Sequence, residues 1–193
     1  MKSSREYEVE VRSYIPESEF QDVLEKLTDL FGKPVADNLK TFLFRNEKSN
    51  GRIRIVKGSD FGVLTEKIGN YTDKSRVEIE KDFNFSEVGD ILSELNGKGL
   101  NNCTYLLTTS YRFLGPNSQV LYLAKHENLG NFLEVEIMTN DQSKIHEAHK
   151  AVCKTLADLN LKELLAADYQ KMMNGLYALS KPVANYIEQI SPF

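Results

Sequence analysis

The 193-residue sequence has no tryptophan, five prolines and two cysteines, Cys103 and Cys153. Two distant cysteines form neither a disulfide framework nor a metal-type cluster, so they read as idle or buried thiols. No apolar run approaches the roughly 20 residues that a membrane-crossing helix needs. The opening MKSSREYEVE lacks the apolar stretch of a signal peptide. The expectation is a cytoplasmic protein with no membrane partner. An excess of one charge is missing too: 24 basic against 28 acidic residues leave a formal net charge of -4. That balance gives no overall pull toward nucleic acid. No Pro/Gly/Ser-rich linker or charge block divides the chain, so residues 1–193 are expected to form one domain.

What the sequence does have is alternation. In EYEVEVRSY, Glu6, Glu8, Glu10 and Arg12 alternate with Tyr7, Val9 and Val11. Period two is a strand signature, with successive side chains on opposite faces. Seven further strands are expected: from Thr41 (TFLFRN), Arg52 (RIRIV), Phe61 (FGVLTEKI), Arg76 (RVEIEKDFNF), Thr104 (TYLLTTSYRFL), Gln119 (QVLYLAKH) and Phe132 (FLEVEIM). Lys48 to Gly51 read as a hairpin turn, with others at Gly69–Asn70 and Asn128–Gly130. Helical spacing of Phe20, Val23, Leu24, Leu27, Leu30 and Phe31 places a helix after Pro16, ending at Gly32. A short helix with Ser86 as its cap carries Val88, Ile91, Leu92 and Leu95. Two more helices span about 141–160 and 161–179.

The order is strand, helix, three strands, given twice, then two helices. Eight mostly hairpin-linked antiparallel strands can close on themselves and so remove their edges. The fold class is therefore α+β: a closed eight-stranded antiparallel barrel over about residues 5–138, flanked by helices. Two C-terminal helices lie at about 141–179 and a tail at 183–193.

An ordinary half-exposed sheet also alternates apolar and polar residues. Here, however, like charges repeat at adjacent same-face positions: Glu8 with Glu10, Arg52 with Arg54, Glu134 with Glu136. Glu78, Glu80 and Asp82 follow Arg76 in the same way, and Lys67 and Arg112 lie on two further strands. Neighbouring like charges repel, and a site that binds ions offsets that cost. If helices cover the apolar rows outside, the charged rows face inward. Charges taken from water must be paired or solvated. Paired carboxylates suit magnesium or manganese, and Arg and Lys hold phosphate oxygens. Both in one cavity suggest a metal-bound polyphosphate.

These motifs also resemble a known family. EVEVR, at Glu8–Arg12, is similar to the E-x-E-x-K signature of CYTH domains, the triphosphate tunnel metalloenzymes. GRIRI, LTEK (Leu64–Lys67), RVEIE and LGNFLEVEI (Leu129–Ile137) resemble its L-R-I-R, L-T-x-K, R-x-E-x-E and L-G-x-F-x-E-I-E segments, in order. The resemblance implies a tunnel-like barrel binding triphosphate with Mg2+ or Mn2+. It implies hydrolysis of inorganic, thiamine or nucleoside triphosphate or, in one branch, adenylyl cyclisation.

On this reading Glu8, Glu10, Glu134 and Glu136 hold metal. Glu78 and Glu80 hold a second ion or orient the basic residues. Arg12, Arg52, Arg54, Lys67, Arg76 and Arg112 bind phosphates, with Arg12 and Lys67 also candidates for the catalytic step. The expected partner is a small triphosphate compound, with the protein a monomer or homodimer. Three departures bear on activity. Arg12 replaces the motif's lysine, Ser110 stands where a basic residue is usual, and Ala124 where an aspartate is common. His126, on the same face as Ala124, is a partial stand-in or a structural histidine. His146 and His149 read as surface or packing residues. The leading expectation is a metal-dependent triphosphatase. The alternatives are a class IV-type adenylyl cyclase and a non-catalytic nucleotide or polyphosphate binder.

Overall fold

A computed structural model describes residues 7–46, 50–68 and 76–192; for 67, 68 and 76–78 only the backbone is described. The elements in chain order are β1 (Tyr7–Ile15), α1 (Phe20–Phe31), β2 (Val35–Arg45), β3 (Asn50–Val56), β4 (Phe61–Ile68), β5 (Arg76–Asn84), α2 (Val88–Gly97), β6 (Asn102–Leu114), β7 (Val120–His126), β8 (Gly130–Thr139), α3 (Ile145–Asp158), α4 (Ala166–Tyr177) and β9 (Lys181–Pro182).

The strands pair antiparallel in the order β2-β3-β4-β5-β1-β8-β7-β6, and β2 also pairs with β6. This second pairing closes the row into the α+β barrel that the alternating pattern implied. The seams differ in strength. β2 and β6 share ten register positions from Val35↔Arg112 to Phe44↔Cys103, whereas β1 and β5 share only Tyr7↔Val77 and Glu8↔Arg76. Beyond that short seam, the edge of β1 is met by the chain leading into α4: the Leu164 N–H donates to the Arg12 carbonyl at 2.7 Å.

The apolar rows face outward. Val9, Val11, Leu121, Leu133 and Val135 pack with Leu27 of α1 and with Val152 and Leu156 of α3. On the other side Phe42, Phe44, Ile53, Ile55 and Leu64 pack with Ile91 and Leu95 of α2. Each such side chain, when fully buried, contributes roughly 1.5–3 kcal/mol. The helices thus take the hydrophobic face of the sheet, and the polar face turns toward the barrel axis.

Four details differ from the sequence expectation. β2 begins six residues before Thr41, because its polar start (Val35–Lys40) is held by the ladder to β6 rather than by strand propensity. Asn50 and Gly51 already belong to β3, and the hairpin positions Lys48 and Ser49 and the turn at Gly69–Asn70 lie outside the described residues. The cap before α2 is Asn84 with Glu87 rather than Ser86: Glu87 accepts from the Asn84 backbone N–H at 2.7 Å. α4 starts at Ala166, five residues later than expected, since 161–165 are used to cross the β1 edge. Residues 181–192, the stretch read largely as a tail, fold back. β9 pairs with Asn102 and Cys103, Tyr186 packs edge-on against Phe42 and at a tilt against Tyr105, and Ile190 is buried.

Candidate functional site

Residues directly opposite one another in an antiparallel pair share a face. Following the register around the barrel therefore tests which side chains share the interior. Arg12 lies opposite Glu134, Glu134 opposite Tyr122, Tyr122 opposite Arg112, and Arg112 opposite Val35. Glu10 lies opposite Glu136. Across the barrel, Thr41 faces Arg54, and Leu43 leads to Arg52, Thr65 and Glu80 in turn. Lys67 is opposite Glu78, and Arg76 opposite Glu8, at backbone positions of the same parity. Nine of the twelve residues singled out from the sequence thus occupy inner-face register positions, and Lys67, Arg76 and Glu78 hold backbone positions in the same register rows.

The side chains that are described form two groups. Carboxylate oxygens of Glu8, Glu10 and Glu136 lie within 4.8 Å of one another. Glu134 does not join them; it accepts from Arg12 Nε at 2.6 Å. Arg12 Nη2 also donates to Glu10 at 2.5 Å, and its guanidinium sits 4.3 Å from the centre of the Tyr169 ring. Burial opposes the charge on Arg12, but Glu134, Tyr169 and Glu8 outweigh it and hold the guanidinium above its ordinary pKa. Arg12 is thus a clamp between carboxylates.

On the facing wall, Arg54 donates to Glu80 at 2.7 Å, and Thr65 donates to the same oxygen at 3.0 Å. Glu80 thus bonds Arg54 and Thr65 through one oxygen. Tyr122 registers the field between the walls. Burial and then Glu136 push its phenol up to about 12, while Arg54 and Arg112 act the other way. Groups from β3, β6 and β8 are therefore all felt at one point on β7. His126 shares a 2.8 Å hydrogen bond with Thr108 through Nδ1. Burial, more than Arg12, lowers its pKa, and Glu134 opposes the shift.

The two ends of the barrel are unlike. The ends of β1, β2, β4 and β7 and the starts of β3, β5, β6 and β8 form one mouth. α4 lies across it. Tyr169 packs edge-on against Phe132, Met173 and Leu176 pack with Leu106 and Leu43, and Thr104 donates to the Leu176 carbonyl at 3.3 Å. A partly open cavity remains there between Arg12, Arg52, Thr65 and Glu134 on the barrel and Tyr169 and Tyr177 on the helix. Sequence reasoning missed Tyr122, Thr65 and Tyr169. The first two were available as same-face positions on strands already identified. Tyr169 carried no signal, because it acts across more than 150 residues from Arg12.

The motif glycine Gly130 has a structural reason. It opens β8 at a φ of +96°, and a Cβ there would come within 3.0 Å of the Tyr14 ring. A side chain would strain the start of the strand that carries Glu134 and Glu136.

Comparison with known proteins agrees with this geometry. No curated protein matches the chain. Among solved structures, the PH1819 protein of Pyrococcus horikoshii superposes with a TM-score of 0.66 at 19% identity, covering 87% of this chain and 98% of that one. A Hippeastrum protein described as a candidate adenylyl cyclase with a dominant triphosphatase activity gives 0.58 at 16% identity, covering 83% and 90%. A candidate adenylate cyclase of Vibrio parahaemolyticus gives 0.59 at 15% identity, covering 87% and 98%. At these identities the structures speak for the fold. The CYTH domain model matches residues 6–167, which take in every strand of the barrel and every charged row on its inner face, and the chain belongs to the CYTH domain family.

Proposed function

We propose that this protein is a divalent-metal-dependent triphosphatase that holds its substrate inside the barrel. The observation that carries the reading is the Glu8–Glu10–Glu136 carboxylate cluster on the same inner face as Arg52, Arg54 and Arg112. Three converging carboxylates form a hard-oxygen donor set that suits Mg2+ or Mn2+. Glu8, at 3% exposure, brings a carboxylate oxygen of that set into the barrel interior. The donor set therefore fits the group. A bound ion would supply Lewis-acid polarisation of a phosphoryl oxygen and neutralise its charge.

The chain's own residues do the rest. Arg54, held by Glu80 and Thr65, presents a fixed guanidinium to phosphate oxygens. Arg52 and Arg112 extend that grip along β3 and β6, with Lys67 and Arg76 as the proposed further contacts. Arg12 draws Glu10 and Glu134 together from behind and so sets the carboxylate wall. α4 limits entry of water at its mouth. One observation favours a second reading, a binder without turnover: the inner face lacks charge at Ser110 and Ala124, which lie directly opposite each other.

A metal-dependent phosphate-release screen over inorganic triphosphate, thiamine triphosphate and ATP, with cyclic AMP measured alongside, separates the readings. Orthophosphate is expected. Cyclic AMP with pyrophosphate would replace hydrolysis by cyclisation, and tight binding without product would favour the binder. ATP should bind better than ADP. Arg54→Ala should narrow that gap by about ten-fold to a hundred-fold, the value of one charge-assisted contact. Equal binding of ATP and ADP would count against a site built for three phosphates.

A further inference from the structure

The belt of charge inside the barrel is interrupted on β6 and β7, and Tyr122 stands at the gap. Register places its side chain on the inner face, opposite Arg112 on β6 and opposite Glu134 on β8. It is one cross-strand step from a cation on one side and one step from the carboxylate wall on the other. The phenol feels both walls: Glu136 and Glu134 act on it with one sign, Arg54 and Arg112 with the other. The next inner positions along the two strands are Ala124 and Ser110, which lie opposite each other. Neither carries a long side chain that could fill the lumen beside the phenol. Other hydroxyls of this wall are already taken. Thr108 shares a 2.8 Å bond with His126, and Thr104 bonds the Leu176 carbonyl and Ser180. Among the described residues the half-buried Tyr122 makes no hydrogen bond through its hydroxyl, although charged groups lie on both flanking strands. A phenol withdrawn from water ordinarily finds a partner for its O–H.

We propose that Tyr122 is a substrate-binding residue whose hydroxyl donates a hydrogen bond to a phosphate oxygen of the triphosphate held in the barrel. The inference rests on the proposed triphosphatase reading and adds to it a contact from the wall that carries no charge at Ser110 and Ala124. A phenol is protonated at neutral pH, so it has one O–H to give. Glu134 is engaged by Arg12, and Glu136 converges with Glu8 and Glu10. A phosphate oxygen is the anionic acceptor that arrives with the substrate. A hydrogen bond to a charged acceptor is stronger than one between neutral groups. Tyrosine supplies it without a further buried cation, which would need its own counter-charge in the free protein. With two rotatable bonds, the side chain holds the donor in place at small entropic cost.

The test is calorimetric titration of the full chain with inorganic triphosphate in the presence of Mg2+, with Tyr122→Phe and Arg54→Ala beside the wild type. Tyr122→Phe deletes one oxygen and should weaken binding about ten-fold, the scale of one hydrogen bond to a charged acceptor. Its melting temperature without ligand should match the wild type, because that oxygen bonds none of the described residues in the free protein. Salt separates a neutral donor from an ionic one. The loss in Tyr122→Phe should be the same at about 50 and about 300 mM salt, whereas the loss in Arg54→Ala should shrink as its charge is screened. Wild-type affinity in Tyr122→Phe, with Arg54→Ala weakened, overturns the Tyr122 contact alone. So does a lowered ligand-free melting temperature, which makes the hydroxyl structural, or a loss that vanishes at the higher salt, which assigns it to disturbed neighbouring charges. Absence of Arg54-dependent binding overturns the functional reading and this inference with it.

Discussion

Two walls of the same barrel have opposite character. The wall formed by β1 and β8 is crowded: Glu8, Glu10, Arg12, Glu134 and Glu136 fill consecutive inner positions, with Arg12 clamped between Glu10 and Glu134 and backed by Tyr169. The wall formed by β6 and β7 is depleted. There Thr108, Ser110, Ala124 and His126 face inward, and all but His126 are buried. The two losses of charge relative to the family pattern, at Ser110 and Ala124, are cross-strand partners. A cation and an aspartate at these positions would have paired, so removing both leaves no buried charge unmatched. Two positions that looked independent in the sequence therefore face each other across one strand pair. The comparison teaches that the charged inner positions of one wall and the neutral inner positions of the other both come as cross-strand partners. Breaking a set is costly, whereas removing all of it is tolerated.

The largest expected effect lies on the crowded wall. Glu10→Gln or Glu136→Gln should abolish metal-dependent phosphate release, a fall of at least a hundred-fold; far-UV circular dichroism and the melting temperature should stay near wild type for Glu136→Gln, whereas Glu10→Gln should also lower the melting temperature because it weakens the pair with Arg12. Removing one of three adjacent like charges relieves repulsion in the metal-free protein. Full turnover in both variants would remove them from the ligand set.

Next is the clamp. Arg12→Ala leaves Glu10 and Glu134 without their shared cation, and should lower unfolding free energy by about 3 kcal/mol, the scale for breaking a buried pair. Arg12→Lys restores the charge but not the planar fork or the stacking on Tyr169, and should recover all but about 1 kcal/mol. Denaturant unfolding measures both. A neutral Arg12→Ala would mean that the two walls do not differ in the way described.

On the depleted wall, Ala124→Asp alone introduces a buried carboxylate and Ser110→Lys alone a buried cation. Together they should restore a matched set, so the double variant should be more stable than the summed single effects by about 1 kcal/mol. Simple additivity would show that charges at these two positions do not couple.

The smallest effect concerns His126. Burial depresses its folded-state pKa below the unfolded value. At pH above the unfolded pKa the ring is neutral in both states and its contribution is fully present. As pH falls from there toward the lower folded pKa, the unfolded chain takes up the proton first and stability declines. Glu134, which raises the His126 pKa, and Arg12, which lowers it, are the charged groups that act on the ring. Thermal melts between pH 7.5 and 5 should show a slope that His126→Asn reduces; an unchanged slope would assign it to other groups.

Much of this contrast was legible in the chain. Period-two alternation located eight strands, and like charges repeated on one face of EVEVR, RIRI and LEVEI marked the rows that turn inward. Local patterns sufficed there because strand geometry fixes alternate side chains to opposite faces whatever the strand pairs with. The start of β2 was not legible: Asp37, Asn38 and Lys40 have no strand preference, and the ladder to β6 imposes their extension. Nor was the division of labour among the glutamates. Glu8, Glu10, Glu134 and Glu136 are alike in sequence, yet Glu134 serves Arg12 while the other three converge. That choice depends on which residue each meets across β1 and β8.

The sequence by itself determined that there are strands, which face of each is charged, and that the apolar rows need helices to cover them. These follow from local stereochemistry and from the cost of leaving apolar surface in water. Only the tertiary structure decided that Ser110 and Ala124 are partners, that Tyr169 lies on Arg12, and that one mouth is crossed by α4. Those outcomes depend on closing β2 onto β6 and folding the C-terminal helix back over the barrel. Contacts between residues far apart in the chain are set by the sum of all the packing, and no local pattern encodes them.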